Sequence, residues 1–332
     1  MKKLKEVKKV LILGLGAIGS IYATKFYDFN PDCVKVLLDK SRYDRYKKNG
    51  IIFNNRRYDF DYVLDSQTDF KADLIIVATK STDFEQASEM IRNFVGENTI
   101  ILSLLNGISS EEVLIEKYGK EKVLYSYFLG HASMRKGFEI KFDGIGDIFF
   151  GGINNKPSPL EGEGVFQHEV RVLEKLGEGS YSSIQAVKNL FDKSGITYKI
   201  PEDMLSAIWQ KFVLNIGVNQ TLTMLKKPYK TFKESEEARN TAYELMSEAV
   251  EIAKVLKIKN CDKFIDNAFD FMESVPPELK PSMLQDIENG NQTEIEIFAG
   301  EVYRLGKRYN IATPKNELAY NMIKDLTCIQ QL

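Results

Sequence analysis

Lys211, Asn215 and Asn219 recur at four-residue steps inside MLSAIWQKFVLNIGVNQTLTML, a stretch that is otherwise strongly apolar. That spacing puts all three on one face of a helix. Trp209, Phe212, Val213, Leu214, Ile216 and Val218 make much of the remaining surface apolar. A lysine and two asparagines on such a helix are costly to bury unless they meet partners or a ligand. The alternative is that this face is simply solvated. A second stretch, Pro281-Ser282-Met283-Leu284-Gln285-Asp286 followed by Thr293-Glu294-Ile295-Glu296, reads by itself as a helix, a turn and a capped helix with solvated charges.

Near the N-terminus, Gly14-Leu15-Gly16-Ala17-Ile18-Gly19 forms GxGxxG directly after one strand pattern and directly before a helical one. In a dinucleotide loop the first glycine permits the tight turn and the second lets backbone approach the pyrophosphate. The third allows close helix–strand packing. Free N–H groups at the helix start, with the positive end of its dipole, then face the phosphates. Asp39 closes the second strand pattern 20 residues after Gly19. A carboxylate there hydrogen-bonds the ribose hydroxyls of NAD and repels a 2′-phosphate. Lys40 and Arg42 follow at once and suit a 2′-phosphate instead, so the cofactor signals conflict; Asp39 tilts the reading to NAD(H).

Other chemistries are poorly served. The two histidines, His131 and His168, sit in no recognisable nucleophile context and cannot make a His-rich metal site. If the chain is an enzyme, its proton donor is something other than histidine. Cys33, Cys261 and Cys328 form no CxxC pair, so neither a disulfide framework nor a structural zinc site is expected. The formal net charge of -2 argues against nucleic acid or an anionic membrane as the main partner. No apolar run reaches the roughly 18 residues of a membrane span. The lysine-rich start before Val10 is read as a charged lead-in to the first strand and not as a signal peptide, and a cytoplasmic location is expected.

The elements that must position these residues follow from periodicity. Val10–Leu13, Val34–Leu38, Leu74–Ala78 and Ile100–Leu105 read as buried strands, with helical patterns over Ile18–Asp28 and Asp83–Val95. This is the βαβ rhythm of a doubly wound parallel sheet. Val123–Leu129, Phe138–Phe142 and Asp147–Phe150 read as antiparallel strands added at the sheet's edge. A Pro/Gly/Ser/Glu-rich loop or insertion falls near 153–183, with a helix over Ser183–Ser194 and a last strand over Ile196–Ile200. After Pro201 the pattern is helical throughout. The expected fold is α/β: a Rossmann-type doubly wound domain over 1–200 and an all-α substrate domain over 201–332.

Taken together, these residues resemble the ketopantoate reductase (2-dehydropantoate 2-reductase) family. GLGAIG, Thr79-Lys80, Leu105-Asn106-Gly107, KFVLNIGVN, SMLQDIENG and TEIE occur in the family's order and spacing across essentially the whole chain. The KxxxNxxxN and SMLQD…TEI elements are specific, whereas many dehydrogenases share the glycine motif. The resemblance implies NADP(H) as cofactor and hydride transfer to C2 of a 2-keto acid, giving an (R)-hydroxy acid. It makes Lys211 the catalytic proton donor and Glu294 the carboxylate that contacts substrate and lysine. It makes Asn215 and Asn219 substrate-binding, places Ser282 near the substrate carboxylate, and places Asn106 and Lys80 near the nicotinamide and the cofactor phosphates. A lysine ammonium stabilises a developing alkoxide and surrenders a proton to it, which explains how a histidine-poor chain can be a dehydrogenase.

The chain departs from the family pattern in three places. Asp39 stands where NADPH-specific members commonly carry a basic residue, Tyr229 where the family has a further asparagine, and Pro157–Ser183 is longer than the usual connection. Three functions follow: 2-dehydropantoate reduction in pantothenate synthesis, an NADH-dependent D-2-hydroxyacid dehydrogenase for branched or aromatic keto acids, or a dinucleotide-binding regulatory protein without turnover. A small-molecule 2-keto acid is the expected partner, with a homodimer compatible with the sequence.

Overall fold

The computed structural model describes residues 6–67, 69–130, 134–142, 144, 146–153 and 179–329. The strands are β1 (Val10–Leu13), β2 (Val34–Leu37), β3 (Ile51–Phe53), β4 (Arg56–Tyr58), β5 (Asp61–Val63) and β6 (Ala72–Val77). They continue with β7 (Val95–Ser103), β8 (Val123–Gly130), β9 (Met134–Lys136), β10 (Glu139–Lys141), β11 (Gly146–Gly151) and β12 (Tyr198–Lys199). Helices α1 (Ala17–Phe29), α2 (Lys40–Asn49), α3 (Phe84–Met90) and α4 (Ser110–Tyr118) link the early strands, and a helix over Gly179–Ser194 precedes β12.

Eight strands form one sheet in the order β12-β11-β8-β7-β6-β1-β2-β5. From β5 to β8 every neighbouring pair is parallel, while β11 runs antiparallel to β8. Successive residues point to opposite faces, and both faces are covered. Val10 and Ile12 pack with Tyr22, Phe26, Val187 and Phe191, whereas Leu11 and Leu13 pack with Ile75, Phe84, Ile91 and Phe94. Burial on both sides is why these strands read as continuous apolar runs and not as alternating ones.

Residues 40–49, for which the sequence analysis names no element, form α2, with Asp39 as its N-cap and Gly50 ending it at φ 66°. The structure corrects one detail of the sequence reading. Phe138–Phe142 contributes β10 not to the main sheet's edge but to a second, four-stranded sheet of order β4-β3-β10-β9. There β3 and β4 form a hairpin closed by Asn54 and Asn55, both in the left-handed region at φ 47° and 66°. A two-residue turn of that conformation matches the twist of its strands.

By its internal packing the chain divides into two units, Met1–Met204 and Leu205–Leu332. The second is helical among the described residues, with long helices at Met204–Leu225 and Glu236–Val255 and shorter ones at Phe264–Ser274, Ser282–Glu288, Ala299–Tyr309 and Pro314–Ile329. The Met204–Leu225 helix buries Ile208, Trp209, Phe212, Val213, Ile216 and Leu222. A polar network also sits in this unit's core. Gln220 donates to Asn316 Oδ1 at 3.0 Å, and Asn316 Nδ2 donates to Leu245 O and Glu248 Oε2. Glu248 in turn accepts from the backbone N–H groups of Lys315 and Asn316, satisfying the first turn of the last helix. No described helix is long and apolar enough to cross a membrane. His131, His168 and residues 154–178 of the expected insertion lie outside the described residues.

Candidate active site

In the first unit the GxGxxG segment joins β1 to α1. Gly14 sits at φ +98°, and a Cβ there would lie 2.7 Å from Ala78 O. A Cβ on Gly19 would lie 2.0 Å from Gly14 O, so the helix approaches the turn as closely as backbone allows. Gly16 differs: the nearest atom to its Cβ position is Ala78 O at 3.8 Å, which leaves open space beside it. Gly16 is the N-cap of α1, no side chain caps that end, and the first turn, with Ala17 and Ile18, holds no acidic residue. The Thr79 hydroxyl is buried near Gly14 with no partner among the described residues. Two glycines fixed by packing, one left open and an uncapped helix start fit a dinucleotide pyrophosphate.

The remaining cofactor candidates lie at the carboxyl ends of neighbouring strands. Asp39 Oδ1 accepts from Arg42 N at 2.8 Å, capping α2, and Asp39 Oδ2 pairs with Arg42 Nε at 3.3 Å. A carboxylate has about four acceptor positions, so capping leaves capacity for ribose hydroxyls. Arg42 also reaches Asp83, its Nη2 lying 3.0 Å from Asp83 Oδ2. Lys40 turns to Asp44 at 2.9 Å. Lys80 is exposed at the start of a 3-10 turn after β6, and Asn106 is partly buried beside Gly107, which turns the chain at φ 90° after β7.

Sequence reasoning missed a buried carboxyl next to that turn. Glu111, 2% exposed in the first turn of α4, accepts from Ser110 Oγ at 2.8 Å and Ser126 N at 3.3 Å. Ser110 and Ser103 share a hydroxyl contact at 2.8 Å, and Ser126 Oγ donates to Ser103 O. Burial pushes the Glu111 carboxyl up to about 7, against the lowering effect of these hydrogen bonds. Nothing in SSEEVLIEK marks Glu111 from Glu112, because which of two adjacent glutamates faces inward depends on how α4 docks.

In the second unit, Lys211, Asn215 and Asn219 all lie within the Met204–Leu225 helix, Lys211 and Asn215 partly buried and Asn219 buried. Asn219 Nδ2 donates to Asn215 Oδ1 at 3.2 Å. Ser282, first residue of the Ser282–Glu288 helix, donates its hydroxyl to Asn219 Oδ1 at 3.4 Å. Two sequence-distant candidates are thus brought together. Glu294 stands on a separate segment after the Gly290 turn, partly buried, as the N-cap of a 3-10 helix over Ile295–Ile297. Tyr229 pairs its backbone N–H with Leu279 O at 2.9 Å, so its segment is tied to the turn that leads into Ser282. Among the described residues no group of three or more His, Cys, Asp or Glu is placed to hold a metal ion.

Comparison with known proteins is consistent across the chain. The family description "Ketopantoate reductase PanE/ApbA" matches residues 10–155, and "Ketopantoate reductase PanE/ApbA C terminal" matches residues 203–327. A 2-dehydropantoate 2-reductase of Aquifex aeolicus is 26% identical over 322 residues, covering 96% of this chain and 96% of that protein. A solved ternary structure of D-mandelate dehydrogenase with NADH and anilino(oxo)acetate matches with TM-score 0.82 at 22% identity, covering 98% of this chain and 99% of that one. A PanE/ApbA family ketopantoate reductase from Ralstonia eutropha matches with TM-score 0.79 at 18% identity, covering 98% of this chain and 100% of that one. At these identities the structural likeness speaks to the fold.

Proposed function

The chain belongs to the ketopantoate reductase family of NAD(P)H-dependent oxidoreductases, and from that premise we propose that it reduces 2-dehydropantoate to (R)-pantoate. The observation that carries this reading is the Asn215–Asn219–Ser282 hydrogen-bond chain, whose two asparagines share a helix with Lys211. Amides and a hydroxyl already oriented by one another present donors and acceptors to a substrate carboxylate and hydroxyl at reduced entropic cost.

In this reading the GxGxxG loop holds the pyrophosphate by backbone N–H groups, and Asp39 receives ribose hydroxyls. When bound, the dinucleotide supplies hydride to C2 of the keto acid. Lys211 then does the proton work: its ammonium stabilises negative charge growing on the C2 oxygen and gives that oxygen a proton, leaving a neutral amine that solvent reprotonates. Glu294 holds the ammonium toward the substrate oxygen. Asn215, Asn219 and Ser282 fix the substrate carboxylate.

A second reading keeps this chemistry and changes the substrate to a branched or aromatic 2-keto acid, with NADH as donor. Tyr229 favours it: an aromatic ring replaces the family's amide on the segment tied to Leu279, and burial raises its phenol well above the usual range. Initial rates of NADPH and NADH oxidation with 2-dehydropantoate and with bulkier 2-keto acids separate the readings. A preference for 2-dehydropantoate supports the first, and faster turnover of a branched or aromatic keto acid replaces it with the second. Dinucleotide binding with no turnover of any keto acid overturns both and leaves a regulatory protein.

A further inference from the structure

β1 lies between β2 and β6 in the main sheet, and all three run parallel, so their carboxyl ends share one edge. The GxGxxG loop follows β1, Asp39 follows β2, and Asp83 follows β6 in the 3-10 turn Ser81–Asp83. Arg42, in the first turn of α2, links the two outer positions. Its Nε lies 3.3 Å from Asp39 Oδ2 and its Nη2 lies 3.0 Å from Asp83 Oδ2. The bridge therefore runs between the two strands that flank the phosphate loop.

These contacts are poorly placed to serve stability. The Arg42, Asp39 and Asp83 side chains are 45%, 37% and 47% exposed, and ion pairs at that exposure contribute little to folding. They matter for what the edge can bind. A lone arginine beside the ribose is the group that accommodates a 2′-phosphate. Here the guanidinium is engaged by two carboxylates, the trio carries a net charge of -1, and Lys40 is turned to Asp44. An incoming 2′-phosphate brings close to two further negative charges. It meets Asp39 and Asp83 with no unengaged cation in the trio, or must strip Arg42 from both. A 2′-hydroxyl donates to Asp39 and disturbs nothing.

We propose that Asp83 is a specificity-determining residue that directs this enzyme to NADH by holding Arg42 against Asp39 and away from a 2′-phosphate. Asp83 touches no reacting atom; it acts through Arg42, as a positioning residue. The inference rests on the dinucleotide reading of the GxGxxG loop given above and names which dinucleotide the loop serves.

The test measures dissociation constants for NADH and NADPH by nucleotide fluorescence, without substrate, for the wild type, Asp83→Asn, Arg42→Ala and the Asp83→Asn/Arg42→Ala double variant. Steady-state KM and kcat for each cofactor are measured alongside. The wild type is expected to bind NADH about tenfold or more tightly than NADPH. Asp83→Asn, which keeps shape and removes charge, is expected to tighten NADPH by about tenfold and to move KM for NADPH and not kcat. Adding Arg42→Ala is expected to abolish that gain, because the freed guanidinium is its source. A wild type that prefers NADPH overturns the inference alone, as does an Asp83→Asn variant whose NADPH affinity is unmoved or whose gain survives loss of Arg42. A wild type that binds neither dinucleotide overturns both the inference and the reading beneath it.

Discussion

Ser282 donates its hydroxyl to Asn219 Oδ1 at 3.4 Å, joining residues 63 apart in sequence, and Asn219 in turn donates to Asn215. The two asparagines of the polar stripe are therefore joined with Ser282 in a chain of donors and acceptors, not independently solvated. Asn219 is only 5% exposed, so its amide depends on these partners to be buried at all.

If that chain orients the Asn219 amide toward the substrate carboxylate, Ser282→Ala should raise KM for the keto acid by roughly threefold to tenfold, the value of one neutral hydrogen bond. The dinucleotide dissociation constant should stay within about twofold of wild type. Asn219→Ala and Ser282→Ala should be non-additive in a double-mutant cycle, since they share one interaction. Additive losses, or a change in kcat alone, would remove Ser282 from the substrate site.

The glycines of the loop make separable predictions. Gly19→Ala brings a Cβ to 2.0 Å from Gly14 O, and the clash is with backbone that cannot step aside. It should cost roughly 1–3 kcal/mol of stability, as overpacked sites do, and lower Tm with it. Gly16→Ala meets nothing closer than 3.8 Å, so Tm should barely move while dinucleotide affinity falls. A Gly16→Ala protein with unchanged affinity for both dinucleotides would show that the pyrophosphate does not lie against this turn.

Glu111 gives a pH prediction whose sign follows from its raised carboxyl. Its folded value, about 7, lies above the ordinary 4.5, so between those values the folded protein holds a proton that the unfolded chain has released. The neutral form's stabilisation is intact below about 4.5 and is lost as pH rises through about 7. Across that window the loss is at most on the order of 3 kcal/mol. Glu111→Gln, which stays neutral, should flatten the fall in Tm of the first unit between pH 5 and pH 8. An equal slope in wild type and variant would mean that Glu111 is ionised throughout.

Much of this was legible in the sequence because it rests on periodicity and turn chemistry. β1, α1 and β2 follow from the GxGxxG context, and the Met204–Leu225 helix follows from its apolar period. The Asn54-Asn55 hairpin was also within reach, since two asparagines between short β-type runs favour left-handed turns. Helix α2 was harder to see. Its residues, KSRYDRYKKN, have almost no apolar stripe, and Tyr46 alone among them is buried; Asp39 reads from the sequence as a candidate ribose ligand and not as a cap. Contacts such as Arg42–Asp83, at a separation of 41 residues, and Gln220–Asn316, at 96, carry no local signal because they exist only once the sheet order and helix packing are set.

The most direct test of the account is single-turnover reduction by the wild type and Lys211→Ala, with dinucleotide bound in advance and 2-dehydropantoate and a branched keto acid offered in turn. Lys211 as proton donor predicts that the variant still binds the dinucleotide while the rate of hydride transfer falls by about 10²–10⁴-fold. A Lys211→Ala enzyme that reduces the preferred keto acid within about threefold of the wild-type rate would contradict the account and place the proton donor elsewhere.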